Sequence, residues 1–365
     1  MPTEVLFTPF ESRDGETSLN RRLAGIIRTT EFFRGLSEGS KVAIKVHPGE
    51  RNNSAYLRPS IVSSLAGLIT DTGASPFVTE TTTLYCRERF TPEELLATAA
   101  FNGYSRESIG CPFTVADSVP DVIRKVEGEY LKEVGVAGEI AGADALLVLT
   151  HVTCHGWMAG LAASVKQLGM GCVGRKTKAD VHLATNMAID AELCTACGTC
   201  AEVCKSEAVA VNDDHAVLTE QCVRCGVCIG FCPESAIGYS HDYDRFSKAT
   251  AEAAAGVMSL FDNGNALFVN CILDVTEHCN CEDFSSLPAF PDIGVVISSD
   301  PIAADMASGN LLNSSVPVRG SCADKEKVIK ADDKILALTG IEWWRQLDHG
   351  EAMGLGTTDY QMTRF

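Results

Sequence analysis

The sequence lacks the features that mark export or a membrane span. Its first twenty residues contain four acids and no basic start followed by an apolar run, which a secretory signal requires. The longest apolar stretches, such as residues 249–261, are short and interrupted, whereas a transmembrane helix needs about 20 largely apolar residues. We therefore expect a cytoplasmic protein without membrane contact.

Positive charge is scarce. Thirty Lys and Arg face 48 Asp and Glu, which gives a net charge of −18. Such a chain repels a phosphate backbone instead of releasing its counterions, so nucleic acid is not an expected partner. Long polar or repetitive tracts are also missing, and 45% of the residues are hydrophobic, which is enough for a sizeable packed core.

Short apolar runs alternate with amphipathic ones along most of the 365 residues. This order predicts an α/β fold with a mostly parallel sheet and covering helices. The predicted strands are residues 41–46, 76–83, 113–116, 145–150, 266–273 and 293–298. The predicted helices are residues 59–71, 91–102, 156–170, 249–261 and 301–312. No G-x-G-x-x-G follows a predicted strand, so nothing indicates a Rossmann NAD or flavin site, although a flavin bound in another way stays open.

Eight of the 16 cysteines form two C-x2-C-x2-C-x3-C runs, a spacing typical of two-cluster bacterial ferredoxins and not of zinc knuckles. In such ferredoxins the last cysteine of each run ligates the other cluster. The first predicted [4Fe-4S] cluster is held by Cys194, Cys197, Cys200 and Cys232. The second is held by Cys222, Cys225, Cys228 and Cys204. Lys205 follows Cys204 where Pro233 follows Cys232, a difference that removes no ligand.

The cysteine runs interrupt the α/β pattern, which resumes on their far side. We therefore predict a small α+β, ferredoxin-like two-cluster lobe at residues 188–240, inserted into one α/β domain formed by residues 1–187 and 241–365. The lobe carries eight acids against two bases, a net charge of −6. That charge suits either a solvated surface or a docking face for a basic redox partner.

Polar residues gather where the predicted strands end. Lys45 and His47 end one strand, His155 follows another, and Lys166 interrupts an apolar small-residue helix. Threonines 79, 81 and 83, and Asp300 just beyond the strand 293–298, extend the set. In open α/β sheets ligands bind beyond the carboxyl ends of the strands, and a buried lysine needs an anionic partner. We predict that Lys45, His47, His155 and Lys166 bind a small anionic substrate or a cofactor phosphate.

Several motifs carry a family resemblance. They include Lys45-Val-His-Pro-Gly-Glu50, Thr79-Glu-Thr-Thr-Thr-Leu-Tyr85, His151-Val-Thr-Cys-His-Gly156, Lys166-Gln-Leu-Gly-Met-Gly171, Pro291-Asp-Ile-Gly294 and Met353-Gly-Leu-Gly-Thr-Thr-Asp-Tyr360. Together with the cysteine runs, these motifs resemble the DUF362 family of iron-sulfur proteins. The resemblance implies a ferredoxin module in a domain of unknown function, and it supplies no substrate.

One further cysteine motif, Cys279-Asn280-Cys281, lies outside the two runs. Cys-x-Cys is too tight for an ordinary disulfide between its own members. Cys279 and Cys281, with Cys271 or His278 as additional candidates, are predicted to form a functional thiol or a further metal site suited to iron, zinc or copper(I). The alternative is a pair of structural thiols.

Two functional hypotheses fit these features. In the first, two [4Fe-4S] clusters pass single electrons to or from a ligand held by the α/β domain, as in a ferredoxin-coupled reductase or redox accessory protein. In the second, the chain is a dedicated electron carrier whose α/β domain only docks a partner enzyme. The sequence leaves open whether the chain is an oxidoreductase and whether it forms a homo-oligomer.

Overall fold

The computed structural model describes residues 2–11, 18–261 and 264–365. The strands in chain order are β1 (Thr3–Pro9), β2 (Lys41–Lys45), β3 (Ser75–Glu80), β4 (Phe113–Val115), β5 (Val122–Lys125), β6 (Glu133–Val136), β7 (Ala145–His151), β8 (Thr153–His155), β9 (Gly160–Ala162), β10 (Thr185–Ile189), β11 (Val209–Val211), β12 (Ala216–Leu218), β13 (Ile237–His241), β14 (Ala266–Ile272), β15 (Gly294–Ser298) and β16 (Tyr360–Arg364).

The helices range from single turns to four turns. In chain order they are α1 (Leu19–Ile27), α2 (Glu31–Gly35), α3 (Pro59–Thr70), α4 (Pro92–Phe101), α5 (Arg106–Ile109), α6 (Gly138–Ala141), α7 (Ser164–Gly171), α8 (Arg175–His182), α9 (Thr199–Glu202), α10 (Val227–Phe231), α11 (Tyr243–Met258), α12 (Pro301–Ser314), α13 (Glu326–Ile329), α14 (Lys334–Thr339) and α15 (Arg345–Ala352). Among the described helices, none is long and apolar enough to cross a membrane.

An eight-stranded sheet in the order β16-β1-β15-β14-β7-β2-β3-β4 forms the centre of the molecule. Seven strands run in one direction and only β15 runs against them. Side chains alternate between the two faces, so Val148 and Phe268 enter one apolar core while Leu147 and Val269 enter the other. Helices cover both faces, which confirms the predicted α/β class with a mostly parallel sheet.

The sheet combines strands from both ends of the chain. β14 pairs with β7 in parallel, and β15 pairs with β1 antiparallel. Between α8 and α11, residues 185–241 leave this sheet and form two antiparallel strand pairs: β10 with β13, which are the first and last strands of the segment, and β11 with β12, which form a hairpin. This segment has a small apolar cluster of its own, which includes Cys200 and Cys228. It coincides with the segment predicted to be an inserted lobe.

Three predicted elements have different bounds in the structure. The strand predicted at 76–83 ends at Glu80, where its pairing with β4 stops, so Thr81 and Thr83 lie in a loop. The helix predicted at 156–170 is wrong in its first half: Gly160 adopts a positive φ of 70° beside the β8–β9 hairpin, and α7 begins only at Ser164. The helix predicted at 249–261 begins earlier, behind Asp242, whose side chain accepts from the backbone of its first turn.

Other boundaries agree with the sequence. Thr91 caps α4 through a capping box with Glu94, and Pro92 occupies the first helical position, at the predicted start of this helix. Asp300 caps α12 through the amides of Ile302 and Ala303. Because β15 runs against the other strands, its carboxyl end and Asp300 lie at the opposite edge of the sheet from the ends of β2 and β3. The expectation that Asp300 joins the other strand-end residues is wrong for this reason.

The start of α7 depends on a carboxylate from another helix. Asp305 of α12 is completely buried and accepts hydrogen bonds of 2.8 Å from the backbone amides of Ser164 and Val165 and from the side chain of Asn270. The first amides of a helix lack partners within the helix, and a negative charge there is favourable. Asp305 thus fixes the position of α7 on the sheet.

We expect Asp305→Ala to lower the free energy of unfolding by about 2–4 kcal/mol, since several buried donors lose their acceptor. Chemical denaturation followed by circular dichroism measures this change. Asp348→Ala, at an exposed position on α15, is the matched control and is expected to change stability by no more than about 0.5 kcal/mol. Equal stability of the two variants would show that Asp305 does not anchor α7.

Candidate functional site

A cavity of about 150 Å³ lies at the carboxyl edge of β2, β3, β7 and β14. Residues following these strands form its floor, and α7 and α8 form its side. Here it is called the central cavity. Parallel strands all end at this edge, so their connecting loops bring distant parts of the sequence together.

The central cavity gathers three of the four residues predicted to bind a ligand. His47, His155 and Lys166 line it. Lys45 is fully buried behind the wall, where its ammonium donates to the Val46 carbonyl at 2.7 Å and to the Gln167 side chain at 3.0 Å. The structure therefore places Lys45 as a support of the wall.

A buried network of charges lies under the cavity. Lys45 Nζ is 3.0 Å from Glu80 Oε1, Arg89 Nη1 is 3.9 Å from Glu80 Oε2, and Arg89 Nε donates to Glu50 at 2.8 Å. All four side chains are at least 95% buried. Burial raises the pKa of Glu80, but the charges of Lys45 and Arg89 outweigh it and hold this pKa below the ordinary 4.5.

Two residues that the sequence did not indicate also line the central cavity. Lys178 and His182 of α8 face it, although α8 reads as a charged surface helix. Lys178 Nζ donates to Thr81 Oγ1 at 2.7 Å and to the Val173 carbonyl at 2.9 Å. Burial lowers the pKa of Lys178 to about 8, and burial with the charge of Lys166 lowers that of His182 to about 4.

Three polar atoms on the cavity wall have no hydrogen-bond partner among the described residues. They are Thr150 Oγ1, His151 Nδ1 and Gln167 Nε2. Buried polar groups are nearly always paired with protein, water or ligand. Together they offer donors and acceptors to a polar molecule bound in the cavity.

Cys279 and Cys281 face the same cavity. Their sulfurs and one ring nitrogen of His155 lie within 4.8 Å of one another, a spacing that could hold a metal ion. The candidates Cys271 and His278 are not part of this group. Cys271 is buried in the core beneath the sheet, and the His278 ring stacks on Trp157 at 5.1 Å.

Several donors surround the Cys279 sulfur. Lys166 Nζ lies 3.6 Å from it and the Cys281 amide 3.3 Å from it. The His47 ring also hydrogen-bonds it. The hydrogen bond from the Cys281 thiol, with the charge of Lys166 and the His47 contact, holds the pKa of Cys279 well below its ordinary value, against the effect of burial.

The eight cysteines of the two runs line two separate cavities in the crossed pattern expected from their spacing. The first cysteine quartet is Cys194, Cys197, Cys200 and Cys232. The second cysteine quartet is Cys204, Cys222, Cys225 and Cys228. A ninth cysteine, Cys86 of the α/β domain, also lines the second of these cavities, and its spacing from the runs gave no indication of this position.

The backbone repeats around both quartets. Positive φ angles occur at matching places: Gly198 with Gly226, and Ala196 (52°) with Arg224 (55°). The amides of Ala208 and Ala236 each donate to the cysteine four residues before them, at 3.3 Å. Non-glycine residues adopt such angles only where the surrounding structure requires them. Both loops therefore wrap closely around the space between their sulfurs.

We expect Glu80→Gln to lower the free energy of unfolding by about 3–5 kcal/mol, because it leaves the buried charges of Lys45 and Arg89 without this partner. Glu88→Gln is the matched control, since Glu88 is half exposed and 4.0 Å from Arg51. Chemical denaturation of both variants tests this. A Glu80→Gln protein as stable as the control would contradict the proposed role of the network.

The contribution of Glu80 should also be visible in the pH dependence of the free energy of unfolding. Because the folded pKa of Glu80 is below 4.5, its stabilising effect is complete above about pH 4.5 and is lost as the pH falls through the folded pKa. Acid denaturation curves should therefore be less steep for Glu80→Gln than for the wild type. Acid denaturation curves of equal slope for the two proteins would mean that Glu80 does not contribute to the pH dependence of stability.

Comparison with known proteins identifies the family of this chain and no specific function. A solved structure, the lactate racemase apoprotein from Thermoanaerobacterium thermosaccharolyticum, is similar over 74% of this chain and 51% of that chain, with 10% identity and a TM-score of 0.35. The chain thus spans about half of that structure, and a similarity this weak supports no functional argument. No curated protein matches the sequence. The model of DUF362, a domain of unknown function, matches residues 42–309. The chain therefore belongs to the DUF362 family.

Proposed function

We propose that this protein is an iron-sulfur redox protein that passes single electrons through two [4Fe-4S] clusters to or from a small anionic ligand in the central cavity. The first quartet would hold one cluster and the second quartet the other. When bound, such clusters take up and release one electron each.

The donor set fits this cofactor. Each quartet supplies four thiolates around one cavity, and each takes its fourth cysteine from the other run, as in two-cluster ferredoxins. Backbone amides donate to Cys194, Cys204 and Cys232. Hydrogen bonds to the sulfurs are one of the factors that set the potential of a cluster. Within the described residues, the pattern requires no ligand from outside the lobe.

The observation that carries the proposal is the position of the loop that follows β3. Tyr85 of this loop lines the central cavity, and the next residue, Cys86, lines the cavity of the second quartet. Arg87 then donates to the carbonyl of Cys281 at 3.0 Å. Neighbouring Cα atoms are about 3.8 Å apart, so a single layer of chain separates the two cavities at this point.

The first quartet lies partly open to solvent. Cys197 is exposed, and so are two large apolar neighbours of the quartet, Leu193 and Phe231, at 52% and 57%. The eight acids of the lobe are exposed as well. An apolar contact surrounded by acidic charge suits a basic redox partner. We infer that electrons are exchanged with a partner at the first quartet and with the ligand beside the second.

We expect Cys204→Ser to lose about half of the iron of the purified protein, and to lose it from the cluster that Cys222, Cys225 and Cys228 hold. Its residual electron paramagnetic resonance spectrum should match that of Cys225→Ser and differ from that of Cys197→Ser. Cys322→Ser, outside both quartets, is the control and should keep all of its iron. A spectrum matching that of Cys197→Ser would mean that each run binds its own cluster.

The entry of electrons can be tested with a charged dye. At low ionic strength, Glu234→Lys should slow cluster reduction by the cationic methyl viologen radical by roughly two- to fourfold, since one acid near the first quartet becomes a base. Glu133→Lys changes the net charge equally at an exposed site on β6 and serves as the control. Stopped-flow absorbance measures both. Equal rates would exclude steering by the lobe.

The carrier hypothesis makes a different prediction for the central cavity. If the α/β domain is only a docking platform, Lys166→Met should leave reoxidation of the reduced protein by small anionic acceptors unchanged. The proposed function requires a slower reoxidation with the iron content preserved. The unpartnered atoms of Thr150, His151 and Gln167 favour the second outcome, because a docking platform has no need of a polar cavity.

A further inference from the structure

The hydrogen bonds of two histidines decide what Cys279 and Cys281 can do. His155 Nδ1 accepts from the amides of Met158 and Ala159, both at 3.2 Å. His47 Nδ1 accepts from the amide of Gly49 at 3.0 Å. A neutral imidazole whose Nδ1 accepts must carry its proton on Nε2. Each ring therefore has a donor left, and a nitrogen that carries a proton cannot ligate a metal ion.

These donors converge on one sulfur. The Cys279 sulfur has the His47 ring, the Lys166 ammonium and the Cys281 amide as donors, and a ring nitrogen of His155 lies within 4.8 Å. A metal site would instead need imidazoles with free lone pairs and a ligand in place of the ammonium. Thiolates in a cationic, donor-rich setting are nucleophiles. The arrangement is suited to an ionised thiol.

We propose that Cys279 is a nucleophilic thiolate that attacks small anionic electrophiles bound in the central cavity. Its sulfur faces the cavity, although only 3% of the residue is exposed to solvent. Lys166 and Lys178 supply positive charge for a carboxylate or phosphate, and Thr150 and Gln167 offer unpaired polar atoms. The attack forms a bond from Cys279 sulfur to the electrophilic atom, and the leaving group departs with its electron pair.

This inference does not depend on the clusters, because neither quartet contributes to the site. Cys281 can supply a proton to a leaving group, since its thiol hydrogen-bonds the Cys279 sulfur. The two cysteines thus differ in role: the hydrogen bond to the Cys279 sulfur, together with burial, raises the pKa of Cys281, while the pKa of Cys279 is lowered. The exposed or core cysteines of the α/β domain have no comparable set of donors among the described residues.

Alkylation of the purified holoprotein with iodoacetate and with iodoacetamide tests the proposal. The two reagents have the same size and differ in charge, and in both cases sulfur displaces iodide. We expect Cys279 to react before Cys281 at neutral pH, and to react faster with the anionic iodoacetate. Peptide mass spectrometry locates and times the modification. Slow reaction at Cys279, or no preference for iodoacetate, would overturn the proposal.

Two lysine variants test whether the charge of Lys166 activates Cys279. Lys166→Met should slow the iodoacetate reaction near neutral pH by roughly tenfold or more and move its pH profile upward, since an opposite charge at about 4–6 Å shifts a pKa by 1–3 units. Lys176→Met removes a charge that is 84% exposed on α8, and should change neither property. If Cys279 reacts only after a chelator extracts a bound metal ion, the site is a metal centre and the proposal is wrong.

Discussion

The balance of four charges beneath the central cavity constrains the rest of the α/β domain. Lys45 and Arg89 are buried beside Glu80 and Glu50, and these two carboxylates offset the cost of burying the two positive charges. These residues come from the end of β2, the end of β3 and two loops, so the ends of neighbouring strands must keep their register for the network to close. The polar wall of the central cavity lies directly on this charge network.

Close packing of α7 also positions the residues around the central cavity. A side chain at Gly171 would bring its Cβ within 2.5 Å of Lys45 Nζ, and one at Gly169 would meet the Thr250 carbonyl at 2.1 Å. The absence of side chains at these points lets α7 lie directly between β2 and α11. Lys166 then projects from the same helix toward Cys279, whose sulfur lies 3.6 Å from the lysine ammonium.

One short loop, the one that follows β3, reaches both the central cavity and the cavity of the second quartet. Tyr85 lines the central cavity and its hydroxyl lies against Arg89, while Cys86 lines the cavity of the second quartet. Under the proposed function, the lobe would deliver electrons one at a time to a site where Cys279 and its donors hold the ligand. The distance between the two would be set by the fold of the α/β domain and not by the lobe alone.

The sequence by itself determined the fold class, six of the eight strands of the central sheet and the grouping of the eight cysteines, because these depend on periodicity or on short fixed spacing. It also singled out His47, His155, Lys166, Cys279 and Cys281. It missed β1 and β16, the start of α7 and the direction of β15, which placed Asp300 at the wrong edge. Only the tertiary structure decided that Lys178 and His182 face the central cavity, that Lys45 lies behind it and that Cys86 lines the cavity of the second quartet. Burial and contacts between distant segments control these positions, and neither leaves a local pattern in the sequence.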